Sequence, residues 1–378
     1  MNLVISAVGD VSLEGNLRDM PTTQVFSRLV ATLDAADLVV ANLESPLTLS
    51  GNPQLGKCTL RGDPGWAMVL KKVGIKLVSL ANNHMMDYGF EGLFDTIRAL
   101  DSAEIMHLGA GRNIDEACSP LFVTKKGKRI AFLARSSVIV SSSSYAGPTT
   151  PGVAFLETEE LVDNIKRCKK RADLVIVLLH WGLEEYAYPT PSQLEVARRL
   201  VDSGADAIIG HHPHVLQGIQ RIGKGFVAYS LGNFLFNDFE WRMTKENGEI
   251  ATTYLALSEH KRKGIMLSLE INENASINSV LKVFTRVDHD GCILIDGYSL
   301  REEELRILSD RLRMRFYAQW WRIQALYLEW KLRIKPRLSP QKIIRNFCKI
   351  RPRHFVEMCK ALKKSINISN EKTTNPYE

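Results

Sequence analysis

Histidine is concentrated in one place in this chain. Gly210-His211-His212-Pro213-His214 holds three of the nine histidines and directly follows the apolar run Ala207-Ile208-Ile209. Imidazole is the commonest neutral nitrogen ligand for divalent metals, so histidines clustered just past a strand end point to a metal site. The plain alternative is a polar turn with solvated histidines. Partners elsewhere in the chain decide between the two.

Such partners recur at the ends of apolar runs. Asp10 follows Leu3 to Val8, and Glu44 follows Leu38-Val39-Val40-Ala41. Asn83 and His84 follow Lys76 to Leu80, and His180 follows Asp173 to Leu179. With His212 and His214 they form a set of two carboxylates, one amide and imidazoles. That set suits Mn, Fe or Zn and is too rich in nitrogen for a pure Mg or Ca site. A carboxylate shared by two ions about 3.5–4 Å apart gives a geometry that activates a water and clamps an oxyanion. Taken singly, Asp10 and Glu44 are as readily caps, Asn83 a turn amide and His180 a core histidine.

The elements that must position these residues alternate between strand and helix. Residues 2–8 read as a buried strand and 22–36 as a helix with apolar period near 3.6. Strands at 38–41 and 76–80 flank a helix at 66–73. A helix over 91–100, a short strand at 105–108 and a hairpin pairing 121–124 with 130–134 follow. Residues 136–150, rich in Ser, Gly and Thr, are expected to form a mobile loop. A helix over 157–171 leads to the strand at 173–179, and Pro191 opens a helix to Ser203. Beyond the histidines come a strand over 225–231, a polar loop over 237–252 and paired strands over 265–271 and 277–287. In open α/β sheets ligands bind outside the carboxyl ends of strands, which is where the polar residues fall.

Composition bounds the remaining possibilities. The 378 residues are 45% hydrophobic, enough for one large core and an appendage. Six scattered cysteines without CxxC spacing argue against a zinc ribbon or a disulfide framework and fit a reducing compartment. No run reaches the roughly 20 apolar residues of a membrane span, and the N-terminal apolar run is too short for a secretory signal. A cytoplasmic location, peripheral at most to the inner face of a membrane, is the expectation.

The positive charge lies at the C-terminal end. Residues 301–378 carry 19 Lys+Arg against 8 Asp+Glu, whereas residues 1–300 carry 30 against 34. Leu305, Leu308, Leu312, Phe316, Trp320, Ile323, Leu326 and Trp330 recur at spacings of three and four among arginines, and a second basic helix is expected over 341–364. Such helices suit an anionic membrane surface, a partner protein or packing on the core. No nucleic-acid-binding motif accompanies them. The expected division is a core domain over 1–299 and a basic helical tail over 300–378.

Six motifs stand in order: Gly9-Asp10, Asn42-Leu43-Glu44, Ala81-Asn82-Asn83-His84 with Asp87 and Gly89, His180-Trp181-Gly182-x-Glu184, Gly210-His211-His212-Pro213-His214-Val215 and Ser230-Leu231-Gly232-Asn233-Phe234. Between about residues 3 and 236 the chain resembles the CapA family of poly-γ-glutamate and capsule biosynthesis proteins. The resemblance implies the fold of the calcineurin-like metallophosphoesterases, a four-layer αββα sandwich, here with a C-terminal helical appendage. It implies Asp10, Glu44, Asn83, His180 and His212 as ligands of two divalent ions, with Glu44 in the bridging place. It implies His84 and His214 as the residues nearest the substrate or leaving oxygen. Metallophosphoesterases begin with Asp-x-His, and here Ser12 stands where that histidine would be. Asp87, Glu184 and Asn233 read equally as residues that orient ligands or as plain turn residues, and Arg61 reads as a solvated loop residue before it reads as a group that meets an anion.

Three functions follow from these readings. The first is a metal-dependent hydrolase of capsule or exopolymer synthesis acting on an anionic polymer or phosphorylated intermediate. The second is a non-catalytic, membrane-peripheral assembly factor, and the third a cytosolic phosphodiesterase, which Ser12 disfavours.

Overall fold

The computed structural model describes residues 2–14, 25–138 and 144–329. The apolar runs that precede the candidate ligands become parallel strands largely buried on both faces, as continuous rather than alternating hydrophobicity requires. One sheet has the order β18-β17-β16-β1-β2-β3-β4, from β18 (Ile293–Ile295), β17 (Ile277–Val287), β16 (Lys263–Ile271), β1 (Leu3–Val11), β2 (Leu38–Leu43), β3 (Ile75–Ser79) and β4 (Met106–Leu108). The second has the order β11-β12-β10-β9-β7-β6, from β11 (Ile219–Ile222), β12 (Gly225–Ala228), β10 (Ala207–His211), β9 (Leu174–His180), β7 (Lys128–Ser136) and β6 (Leu121–Lys125).

The sheets face one another across a shared core. Leu3, Ile5, Ala7, Leu38, Val40 and Leu77 of the first meet Ile130, Phe132, Ile176, Leu178, Ala207 and Ile209 of the second. Because side chains alternate along a strand, Val8, Val39 and Val78 point the other way. They pack against Trp66 and Leu70 of α2 (Trp66–Lys72) and Leu93 and Leu100 of α3 (Gly89–Ser102). On the far face of the second sheet, Leu133, Val177 and Ile208 meet Leu161 and Ile165 of α5 (Thr158–Lys169) and Ala197 and Leu200 of α6 (Pro191–Asp202). The result is the expected four-layer αββα sandwich. Its helix starts follow local chemistry: α6 opens with Pro191 in its first turn and a reciprocal capping box between Thr190 and Gln193.

Two glycines let the segment that crosses between the sheets, 229–232, pass close to the strand ends. A Cβ on Gly210 would lie 1.9 Å from the Tyr229 carbonyl oxygen, and one on Gly9 would lie 2.0 Å from that of Gly232. Each glycine lies immediately before a polar strand-end segment, Gly9 before Asp10 and Gly210 before His211-His212.

Several expectations are corrected. The strand expected over 225–231 stops at Ala228, and the chain crosses between sheets to form β13 (Asn233–Leu235), which pairs in parallel with β1 through Asp10↔Asn233. Residues 237–252 are no loop but most of a hairpin, β14 (Phe239–Thr244) with β15 (Ile250–Leu255). Within the loop expected to be mobile, Tyr145 and Ala146 are buried, and the Ala146 amide donates to the Val153 carbonyl. Of the first helix, α1 covers Val30–Asp34, while residues 15–24 lie outside the described residues.

At the C-terminal end, α7 (Tyr298–Arg311) buries Leu305 and Leu308 as its spacing requires. The stripe then slips. The chain turns after Leu312, and α8 (Tyr317–Glu329) buries Tyr317, Trp321 and Ala325 while leaving Phe316 and Ile323 exposed. Turning between the helices resets the phase that a continuous 3.6-residue period would have kept. Tyr317 Oη donates to the Pro189 carbonyl at 2.7 Å and Trp321 Nε1 to that of Tyr188 at 3.2 Å, fastening α8 to the sandwich. Trp330 and the basic helix expected over 341–364 lie outside the described residues.

Candidate metal centre

The carboxyl ends of β1, β2, β3, β9 and β10 bring the candidate residues together. Side chains two apart on a strand share a face, so Asn42 at the end of β2 and Glu44 just beyond it reach the same cleft. Asn42 Nδ2 donates to Asp10 Oδ1 at 2.8 Å. His212 donates its backbone N–H to Asp10 Oδ2 at 3.2 Å. His214 closes the group, with Nδ1 3.5 Å from Asp10 Oδ2 and Nε2 3.3 Å from Glu44 Oε1. Among the described residues, Asp10, Glu44 and His214 offer ligand atoms that all lie within 4.8 Å of one another.

A second group adjoins the first. His180 Nε2 and Asn83 Oδ1 are 2.7 Å apart, and the rings of His180 and His212 lie 4.9 Å apart between centroids. His212 and His214 hold φ values of 96° and 57°. Non-glycine residues in that region cost on the order of 1–3 kcal/mol each and cluster at functional sites. The strained turn leaves both rings on the cavity.

Charge in the cluster is set by burial and proximity. Burial, with Glu44 beside it, pushes the Asp10 carboxyl up to about 7. Burial disfavours charge on His214 as well, but Glu44 and Asp10 outweigh it and raise the imidazole to about 10. Burial would also raise Glu44, yet the cationic His214 wins and holds it below the usual carboxylate range. Burial keeps His211 and His212 down at about 4, and burial plus neighbouring imidazoles hold His180 well below its ordinary value. Neutral His180 and His212 are in the form that binds metal.

The donor set fits divalent ions on two counts. Glu44 Oε2 and His212 Nδ1 are buried without a hydrogen-bond partner, a costly state for polar atoms unless a ligand completes them, while Glu44 Oε1 has the His214 ring at 3.3 Å. Burial and Glu44 hold the Asp10 carboxyl up to about 7, the mark of a buried carboxyl pair that a cation would stabilise in its charged form. Ser12 Oγ, two residues past Asp10, is likewise buried without a partner.

The remaining candidates support this cluster to differing degrees. Asp87 accepts from the Leu60 amide at 2.6 Å, pairs with buried Lys57 and lies 2.7 Å from His84 Nδ1, which leaves His84 Nε2 free toward the cleft, 4.0 Å from Glu44. Asn233 Oδ1 is 2.9 Å from His214 Nδ1, and its Nδ2 donates to the Lys261 carbonyl. Glu184, drawn down to about 2 against its partial burial by His214 and Lys261, accepts from Lys261 Nζ at 2.9 Å. Arg61 is not brought to the cleft. Its guanidinium lies 5.2 Å from the Tyr88 ring centroid, and its amide donates to Glu14. His211 is a flanking residue whose Nε2 meets the Val8 carbonyl at 3.1 Å.

Sequence reasoning passed over four contributors. Asn42 was legible as the i−2 neighbour of Glu44, and Asn82, which donates to the Leu43 carbonyl, as the neighbour of Asn83. Lys57 and Lys261 carry no local signal, because they reach the site only through tertiary contacts.

A profile of the family described as "Bacterial capsule synthesis protein PGA_cap" matches residues 4–238. The chain belongs to this family. The PGA_cap match covers every strand end that supplies the cluster and stops before the β14–β15 hairpin. Relatives include the capsule biosynthesis protein CapA of Bacillus anthracis, 34% identical over 65% of this chain and 62% of its own length. The PGA biosynthesis protein CapA of Bacillus subtilis is 34% identical over 65% of this chain and 66% of its own length. The chain thus spans just under two thirds of the length of these relatives. Among solved structures, the NAD nucleotidase of Haemophilus influenzae aligns with a TM-score of 0.44 at 15% identity, over 82% of this chain and 56% of that one. Among the described residues no helix is long and apolar enough to cross a membrane.

Proposed function

We propose that this PGA_cap protein is a metal-dependent hydrolase of bacterial capsule or exopolymer synthesis, acting on an anionic polymer or a phosphorylated intermediate. The observation that carries the reading is the convergence of Asp10, Glu44 and His214 within 4.8 Å, with Glu44 Oε2 buried and unpartnered. Asp10, Glu44 and His214 would hold one divalent ion, which would take over from the His214 proton the neutralising of the two carboxylates. Asn83, His180 and His212 would hold a second, with Glu44 shared between them. His214, expected from sequence beside the proton donors, joins the ligands here, and Asn233 on Nδ1 fixes its ring.

Mn, Fe or Zn in such a site polarises a phosphoryl or carbonyl oxygen and lowers the pKa of water. The protein's own residues do the rest. Asp87 Oδ2, 2.7 Å from Nδ1, holds the His84 ring with Nε2 toward the cleft, from where it can pass a proton to a leaving oxygen. The test is turnover of generic phosphoesters and γ-glutamyl peptides with added Mn, Fe or Zn. Metal uptake without turnover of any anionic substrate would overturn the hydrolase reading.

A second reading, a membrane-peripheral assembly factor, is favoured by one observation. Phe316, Ile323 and Tyr327 are exposed beside the exposed Arg313, Arg315 and Arg322. Basic amphipathic faces of this kind bind anionic lipid surfaces. Phe316→Ser with Ile323→Ser should weaken partition to vesicles containing phosphatidylglycerol, and unchanged partition would remove this reading.

A further inference from the structure

The cleft over the cluster has two unlike walls. One is polar and carries Asn83, His84, His212 and His214. The other is apolar: Leu60, Phe236, Phe239, Trp241 and Leu257 line the same cavity of about 130 Å³. The apolar wall starts beside the ligand group, where the Phe236 ring stands edge-on to His214 at 5.0 Å, and Phe239 continues it 6.0 Å from Phe236.

This wall is held in place. Leu60, Phe236, Phe239 and Leu257 form a cluster of their own, apart from the three large cores. The β14–β15 hairpin is strapped to the segment before Leu60 by Gly56 N–H to the Thr244 carbonyl at 2.8 Å and Thr59 N–H to that of Arg242 at 3.2 Å. At its base, buried Arg262 grips both Asp238 carboxylate oxygens at 2.6 Å, and Asp238 also accepts from the Leu257 amide at 2.7 Å. These side chains are buried against one another and also line the ion-binding cleft, where an apolar wall can serve as a binding surface.

The charge beyond the cluster argues against a second anion. Apart from the histidines of the cluster, Lys261 is the one basic side chain lining the cavity among the described residues, and its ammonium is engaged by Glu184 at 2.9 Å and Glu185 at 2.7 Å. A polyanion leaving the cluster in that direction would meet two carboxylates for one ammonium.

We infer that the site selects a substrate with one anionic group for the metal cluster and, next to it, a planar or apolar group that packs on Phe236, Phe239 and Trp241. This rests on the metal-site reading above and narrows its substrate class from a bare polyanion to an amphipathic anion. The Trp241 and Phe239 rings set the specificity.

The experiment uses the full chain, loaded with Mn and checked for metal content, and two non-hydrolysable probes, phenylphosphonate and methylphosphonate, followed by calorimetry. Phenylphosphonate should bind about tenfold tighter than methylphosphonate, and Trp241→Ala and Phe239→Ala should each bring that ratio toward one while metal content holds. Equal affinities in the wild-type protein, binding of neither probe, or a ratio unmoved by both variants would overturn the inference while leaving the metal site intact. A protein that takes up no metal would overturn the metal-site reading and the inference with it.

Discussion

His180 Nε2 lies 2.7 Å from Asn83 Oδ1, joining the end of β9 in one sheet to the turn after β3 in the other. The two residues are 97 positions apart, and the contact exists only because the sheets stack with their carboxyl ends aligned. Asn83→Ala should therefore lower the affinity for Mn more than tenfold, read by calorimetry, while leaving the secondary structure intact. Affinity within twofold of the wild type would remove Asn83 from the ligand set.

His84 depends on Asp87 for its orientation. Asp87→Asn should reduce metal-dependent turnover by about 10–100-fold with metal content unchanged, because it disturbs the ring and not the ligands. The same change strips buried Lys57 of its counter-charge and should cost up to about 3 kcal/mol in denaturant unfolding. Full turnover in Asp87→Asn would show that His84 needs no such support.

Gly210 is tested by adding a methyl group. With the Tyr229 carbonyl oxygen 1.9 Å from the new Cβ, Gly210→Ala must push β10 from its neighbour. Overpacking of this kind costs about 1–3 kcal/mol and more when the obstacle is backbone, so the melting temperature should fall by several degrees. An unchanged melting temperature would mean that the two segments are not in close contact.

The strand ends were legible because a strand buried on both faces reads as an unbroken apolar run, and the first polar residues after it mark where it leaves the core. Asp10, Glu44, Asn83, His180 and His212 all announced themselves in this way. The β14–β15 hairpin did not. Glu240, Arg242 and Thr244 give its first strand a polar face, and its apolar residues pack on Leu60, nearly two hundred positions earlier, rather than on either sheet. Nor did the phase of α8, since the turn between Leu312 and Tyr317 carries no glycine or proline to mark it. Lys261 and Lys57 were invisible for the same reason as the hairpin: their partners are tertiary.

The packing of α8 makes its own prediction. Trp321 is 1% exposed and caps the second sheet, so Trp321→Ala should cost about 3–5 kcal/mol of stability. Ile323→Ala, two residues on and exposed, should cost almost nothing. Equal losses, measured by urea denaturation, would contradict the phase of the helix.

Elemental analysis of the purified chain after exposure to Mn, Fe or Zn, beside Asp10→Ala prepared in parallel, tests the metal centre most directly. The wild-type protein should retain about two divalent ions per chain, and Asp10→Ala, still folded, should lose at least one. A wild-type chain that retains no metal, or an Asp10→Ala variant that retains as much as the wild type, would contradict the account.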